Sequence, residues 1–136
     1  MTYRTVALSL VLAMGSTIAP KPALAGDLTN AALACYVDTN AFDQLTTSLC
    51  VSLTGNGPDP TIAHFEVVGL TAGSYSFVWK DLETGVAPPG CGNSYVCNTG
   101  IASEAAGDGL IRMSVLITDL STGLTKTVTA RARFIS

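Results

Sequence analysis

The chain has 136 residues with seven basic and ten acidic side chains, for a formal net charge of −3. A length of this order makes one domain with its own core, and an acidic balance argues against nucleic acid or an anionic membrane surface as partner. Only 12% of residues are charged, and the abundance of Thr, Ser and Gly is typical of extracellular β domains.

Residues 1–25 read as a leader. Arg4 supplies a positive start, residues 6–14 an apolar run, and Ala23-Leu24-Ala25 a small-residue cleavage site, which is the architecture of a secretory signal peptide with Gly26 as the mature start. As a membrane anchor the run falls short of the roughly 20 residues that a spanning helix needs, and Pro20, Lys21 and Pro22 interrupt it. No cysteine stands at the cleavage point, so no lipoprotein is expected, and no later apolar run is long enough to cross a bilayer. The expectation is an exported protein, periplasmic or extracellular, without membrane insertion after processing. Its domain, 26–136, keeps five basic residues (Lys80, Arg112, Lys126, Arg131, Arg133) against ten acidic ones, a charge of −5.

Residues 31–37 alternate, with Ala31, Leu33, Cys35 and Val37 on one side, and predict a first strand. Asp38-Thr-Asn-Ala-Phe-Asp43 is a polar turn around one aromatic. Residues 45–53 predict a second strand, with Thr47, Leu49, Val51 and Leu53 opposing Thr46, Ser48, Cys50 and Ser52. Gly55-Asn-Gly-Pro-Asp-Pro60 breaks the chain. Residues 62–70 predict a third strand, with Ala63, Phe65 and Val67 opposing His64, Glu66 and Val68.

After a turn at Gly73, Tyr75, Phe77 and Trp79 fall on one face at period two, the register of a strand laid across a core. Beyond Leu82-Glu-Thr-Gly85, Pro88-Pro-Gly-Cys91 opens what reads as an irregular loop through Cys97 and Asn98. A short strand is expected from Ile101. A hairpin closes the chain. Ile111, Met113, Val115 and Ile117 share one face, and Leu124, Val128, Ala130, Ala132 and Phe134 continue it after the Asp119-Leu-Ser-Thr-Gly123 turn. No stretch after the leader has helical periodicity, and the recurrence of strands and turns reads as an all-β, antiparallel β-sandwich of about seven strands. The Thr-rich last strand is expected at an edge, where copies could pair.

Four cysteines in an oxidising compartment imply disulfides. Cys35–Cys50 and Cys91–Cys97 are preferred, because a short turn brings each pair close; the rival is a long-range bridge from Cys50 to Cys91 or Cys97. Zinc would need Cys-x-x-Cys pairs or nearby His, and neither is present.

The segment Gly109-Leu-Ile-Arg-Met-Ser-Val-Leu-Ile-Thr-Asp119, the Ser-Thr-Gly123 turn and Leu-Thr-Lys-Thr-Val-Thr-Ala130 resemble the final hairpin of bacterial immunoglobulin-like and PKD-type domains. Tyr75-x-Phe77-x-Trp79 is similar to their central aromatic strand, and the resemblance covers residues 60–136. It departs at Lys80-Asp-Leu-Glu-Thr-Gly85, where PKD domains carry a Gly-Asp-Gly turn, and the Cys50-to-Trp79 spacing is too long for the antibody pattern of Cys, Trp and Cys. The resemblance implies an immunoglobulin-like sandwich and transfers no binding or catalytic residue; such domains adhere, space, or bind protein and carbohydrate.

Among candidate sites, His64 is the one histidine and could serve a Ser and an Asp as general base, but no Gly-x-Ser-x-Gly elbow accompanies it, and a solvent-facing strand residue explains it. Asp81 and Glu83 stand two apart in what reads as a solvated turn. Asp38, Asn40 and Asp43, with Asp59 from the next loop, could offer oxygens to calcium, though turn capping explains the same residues. The constellation of most interest is Cys91-Gly-Asn-Ser-Tyr-Val-Cys97. Closed by a bridge, it would present Asn93, Ser94 and Tyr95 on a constrained loop that loses little entropy on binding. The reading preferred from the sequence is that Tyr95 packs back on the sandwich and the bridge merely fixes a long connection. These residues predict an exported, non-enzymatic binding, adhesion or spacer module for a protein or carbohydrate, with no cofactor or metal. The alternative function is inhibition of a protease or other hydrolase through the Cys91–Cys97 loop.

Overall fold

The computed structural model describes residues 19, 24–39, 44–53 and 57–135. The leader apart from positions 19, 24 and 25, and the calcium candidates Asn40 and Asp43, lie outside the described residues. The eight strands are β1 (Ala32–Val37), β2 (Thr46–Thr47), β3 (Leu49–Leu53), β4 (Thr61–Val68), β5 (Tyr75–Asp81), β6 (Val96–Ile101), β7 (Leu110–Asp119) and β8 (Thr125–Ile135). They form two four-stranded sheets, β2-β1-β4-β6 and β3-β8-β7-β5.

Alternation decides which side chains meet between the sheets. Leu33, Cys35 and Val37 of β1 and Ala63, Phe65 and Val67 of β4 face inward from the first sheet. Trp79, Met113, Val115, Ile117, Ala130, Ala132 and Phe134 answer from the second. Of the completely buried side chains among these, Phe65, Phe134, Leu33 and Met113 are the largest.

The predicted second strand is two strands. Ser48 adopts a left-handed backbone (φ 70°) between β2 and β3. Its N–H donates to Leu33 O of the first sheet (3.1 Å), and its carbonyl accepts from Arg131 N of the second (2.9 Å). One residue thus hands the chain from sheet to sheet. Cys50, two positions on, turns inward and bonds to Cys35 across the gap, with Cα atoms 5.7 Å apart. Cys91 and Cys97 form the second bridge, so both preferred pairings are found. Paired cysteines of this kind are typical of extracellular and periplasmic proteins.

Four expectations are corrected. β3 runs parallel to β8, with Cys50 opposite Ala132, so the sheets are not purely antiparallel. β8 lies between β3 and β7 rather than at an edge; the edges of that sheet are β3, with Leu49, Val51 and Leu53 exposed, and β5. The segment read as a loop is irregular as far as Tyr95, but its end, Val96 to Asn98, belongs to strand β6, which ends at Ile101 instead of starting there. Asn98 and Gly100 have weak strand preference, and the ladder with β4 overrides it. Finally, Leu124 does not continue the inner face and stands exposed in the turn.

Because Cys35–Cys50 closes a 15-residue separation at the sheet crossing, replacing both cysteines by serine should cost about 3 kcal/mol. The Cys91→Ser/Cys97→Ser pair, with its shorter loop, should cost less in the same urea titration.

Candidate functional site

The loop between Cys91 and Cys97 begins as a tight turn, with Ser94 N donating to Gly92 O (2.9 Å). Three further bonds fasten it to both sheets. Asn93 Oδ1 accepts the Phe77 N–H of edge strand β5 (2.8 Å), and Ser94 O accepts the indole Nε1–H of Trp79 (2.8 Å). Tyr95 O accepts Val67 N of β4 (2.9 Å). The wide Trp79 ring is buried with its polar tip at the margin, where the loop carbonyl meets it. Asn93 and Ser94 therefore direct polar groups into the fold. Tyr95 does not pack back completely, and its side chain remains 54% exposed.

That fastening leaves a groove of about 460 Å³ at one end of the sandwich. Val67 lines it from the first sheet, Tyr95 from the disulfide-closed loop, Tyr75 and Phe77 from the second sheet, and Leu70 and Thr71 from the turn between β4 and β5. The Tyr75 and Phe77 rings lie 6.5 Å apart at a tilt of 47°. The Tyr75 hydroxyl donates to Thr71 O (2.9 Å), which fixes the turn against the aromatic wall. Among the described residues, no charged side chain lines this groove. Its size suits a small ligand or one anchoring residue of a partner.

The other candidates are placed apart from it. His64 is half-buried on the outer face of the first sheet, stacked on Tyr36 with centroids 4.6 Å apart. Its Nδ1 meets Asn98 Oδ1 (2.7 Å) and its Nε2 meets Glu66 Oε2 (3.4 Å). A hydroxyl nucleophile is not among these partners. Asp81 and Glu83 form a local turn in which Asp81 Oδ1 accepts Glu83 N (2.8 Å). Asp59 accepts both the N–H and the hydroxyl of Ser103, and these bonds, the hydroxyl's first, hold its carboxyl below the usual range. Among the described residues no three His, Cys, Asp or Glu side chains gather as a metal site.

A carboxylate that the sequence reading treated only as the start of a turn proves central to the chain's other end. Asp119 closes β7 and is buried, 1% exposed. Its Oδ1 accepts Ser121 N (2.9 Å) and Ser121 Oγ (2.8 Å); its Oδ2 accepts Thr122 Oγ1 (2.9 Å) and Gly26 N (3.0 Å). The Ser121 backbone bond leads in holding the carboxyl down to about 2, against the upward push of burial. The signal in the sequence was the Asp-x-Ser-Thr spacing, which places two hydroxyls and an N–H within reach of one side chain.

Comparison with family models, with curated proteins and with solved structures gives no match to this chain.

Two outcomes follow from this geometry. Tyr95→Ala should change unfolding free energy by no more than about 0.5 kcal/mol, since the ring is largely outside, whereas Trp79→Phe strips Ser94 O of its donor and should cost about 1–3 kcal/mol or more, both read by chemical denaturation. Because the folded pKa of Asp119 is depressed, its contribution is present above the unfolded value near 4 and lost as pH falls through about 2. Asp119→Asn should therefore flatten the acid limb of a melting-temperature profile across that window.

Proposed function

We propose that residues 26–136 form an exported, non-enzymatic recognition module of immunoglobulin-like type, with the groove beside Tyr95 as its binding surface. The carrying observation is an uncharged groove with aromatic side chains on both walls, beside a loop fastened to both sheets. The immunoglobulin-like reading draws support from the strand order and from the buried Trp on β5. Export draws support from the leader-like residues 1–25 and from two disulfides.

The lining selects the ligand's chemistry. Tyrosine and phenylalanine faces favour apolar or amphipathic surfaces, and the Thr71 and tyrosine hydroxyls offer neutral hydrogen bonds. A sugar ring, or an uncharged side chain of a protein partner, fits this better than an ionic ligand. The rigid loop reduces the entropy lost on binding. The inhibitor reading has one observation in its favour, an exposed Tyr95 on a disulfide-closed loop. It is the weaker reading, because the Ser94 and Tyr95 carbonyls already accept bonds from Trp79 and Val67 and are not free for an enzyme cleft.

Glycan-array screening followed by amide chemical-shift titration with the neutral oligosaccharides retained tests the proposal. Shifts should cluster at Leu70, Tyr75, Phe77 and Tyr95, and Tyr95→Ala should weaken binding at least tenfold with its melting temperature unchanged. Shifts elsewhere, or binding unaffected by Tyr95→Ala, would overturn the groove assignment. Inhibition of a protease panel that disappears in Cys91→Ser/Cys97→Ser would favour the inhibitor instead.

A further inference from the structure

Asp119 is a buried carboxylate surrounded by neutral donors. Among the described residues, its partners are the N–H of Ser121 and Gly26 and the hydroxyls of Ser121 and Thr122. One of those donors changes character if the chain is processed. Hydrolysis of the Ala25–Gly26 peptide by a leader-cleaving protease breaks the C–N bond, leaves the water oxygen on the Ala25 carboxylate and frees the Gly26 amine. That amine takes up a proton at neutral pH.

We infer that the domain contains a built receptor for its own new N-terminus, in which the α-ammonium group of Gly26 pairs with the buried Asp119 carboxylate. The inference rests on reading residues 1–25 as a cleaved leader. Gly26 N lies 3.0 Å from Asp119 Oδ2, so the ion pair needs no rearrangement. A side chain at residue 26 would require the Tyr75 ring to move, because a Cβ there would stand 1.9 Å from the Tyr75 hydroxyl. The following residues are held as firmly. Asp27 N donates to Thr71 Oγ1 (2.8 Å), and Lys126 Nζ donates to Leu28 O (3.0 Å) and Thr29 O (2.8 Å). A cavity of about 360 Å³ borders Gly26, Asp119 and Lys126, and Leu24 and Ala25 are exposed. Amine capture by a fixed acceptor is a known recognition mode; here the ligand belongs to the same chain. The charged and titratable groups facing this site are Asp119, Asp27, Lys126 and Tyr75.

The test has two stages. Intact mass of the exported protein gives its first residue, and any start other than Gly26 overturns both the processing reading and the receptor. Protein beginning at Gly26 is then compared with its Nα-acetylated form and with a form retaining Ala25, each in wild-type and Asp119→Asn backgrounds. Acetylation restores the neutral amide donor, so it removes charge while keeping the hydrogen bond. The free amine should titrate about one unit or more above its ordinary value of about 7.7–8.0. Its folded pKa being raised, the added stability is full below the unfolded value and lost as pH rises through the folded one. At pH 6 the Gly26 form should melt higher than the other two, and the advantage should vanish in Asp119→Asn. A Gly26 start with an ordinary amine pKa and a melt indifferent to acetylation would overturn the receptor alone. Should Asp119→Asn fail to fold, the amine pKa and the acetylation comparison in the wild type still decide.

Discussion

The hydrogen bond from the Trp79 indole to the Ser94 carbonyl is the constraint on which the candidate site depends. A buried indole N–H must find an acceptor, and at the edge of a sandwich the nearest one comes from whatever chain crosses there. Here that chain is the loop closed by Cys91 and Cys97. The bond fixes Ser94, Asn93 covers the open N–H of Phe77 beside it, and Tyr95 is left with its carbonyl tied to β4 and its ring outside. The same interaction satisfies the core and positions the recognition residue. It also covers part of a strand edge that would otherwise be open to pairing with another chain.

The rest of the domain is secured by two analogous devices. At the opposite side, Ser48 passes the chain between sheets and the Cys35–Cys50 bridge locks that crossing. At the end of the closing hairpin, the Asp119 carboxylate gathers the turn and draws in the segment that starts at Gly26. Gly26 in turn lies against Tyr75, whose ring is one wall of the groove. The N-terminal attachment and the groove are therefore mechanically continuous.

What could be read from the sequence follows the strength of the local pattern. Period-two alternation in residues 31–37, 62–70 and 111–117 located β1, β4 and β7 and their buried faces, because each carries a strong apolar face. The aromatic strand was legible for the same reason, as was the disulfide pairing from short separations. β6 was not, since Asn98 and Gly100 disfavour a strand and the segment is ordered by its neighbour. The break at Ser48 was hidden inside a continuous alternation, because a single left-handed residue redirects the strand without altering its pattern. Although Tyr95 was expected to pack back on the sandwich and is instead largely exposed, the closed loop that carries it was legible. The groove beside it was not, as it joins residues from three distant segments.

The central claim is that the groove exists before any ligand arrives, with the loop held rigid by its bonds to β4 and β5. The most direct measurement is the backbone order parameter of residues 92–95 by nuclear spin relaxation, together with hydrogen exchange of the Trp79 indole. The account predicts order parameters near about 0.85 and a slowly exchanging indole proton. Values below about 0.6 with rapid indole exchange would contradict it, since the loop would then be detached from the sandwich and no preformed groove would stand beside Tyr95.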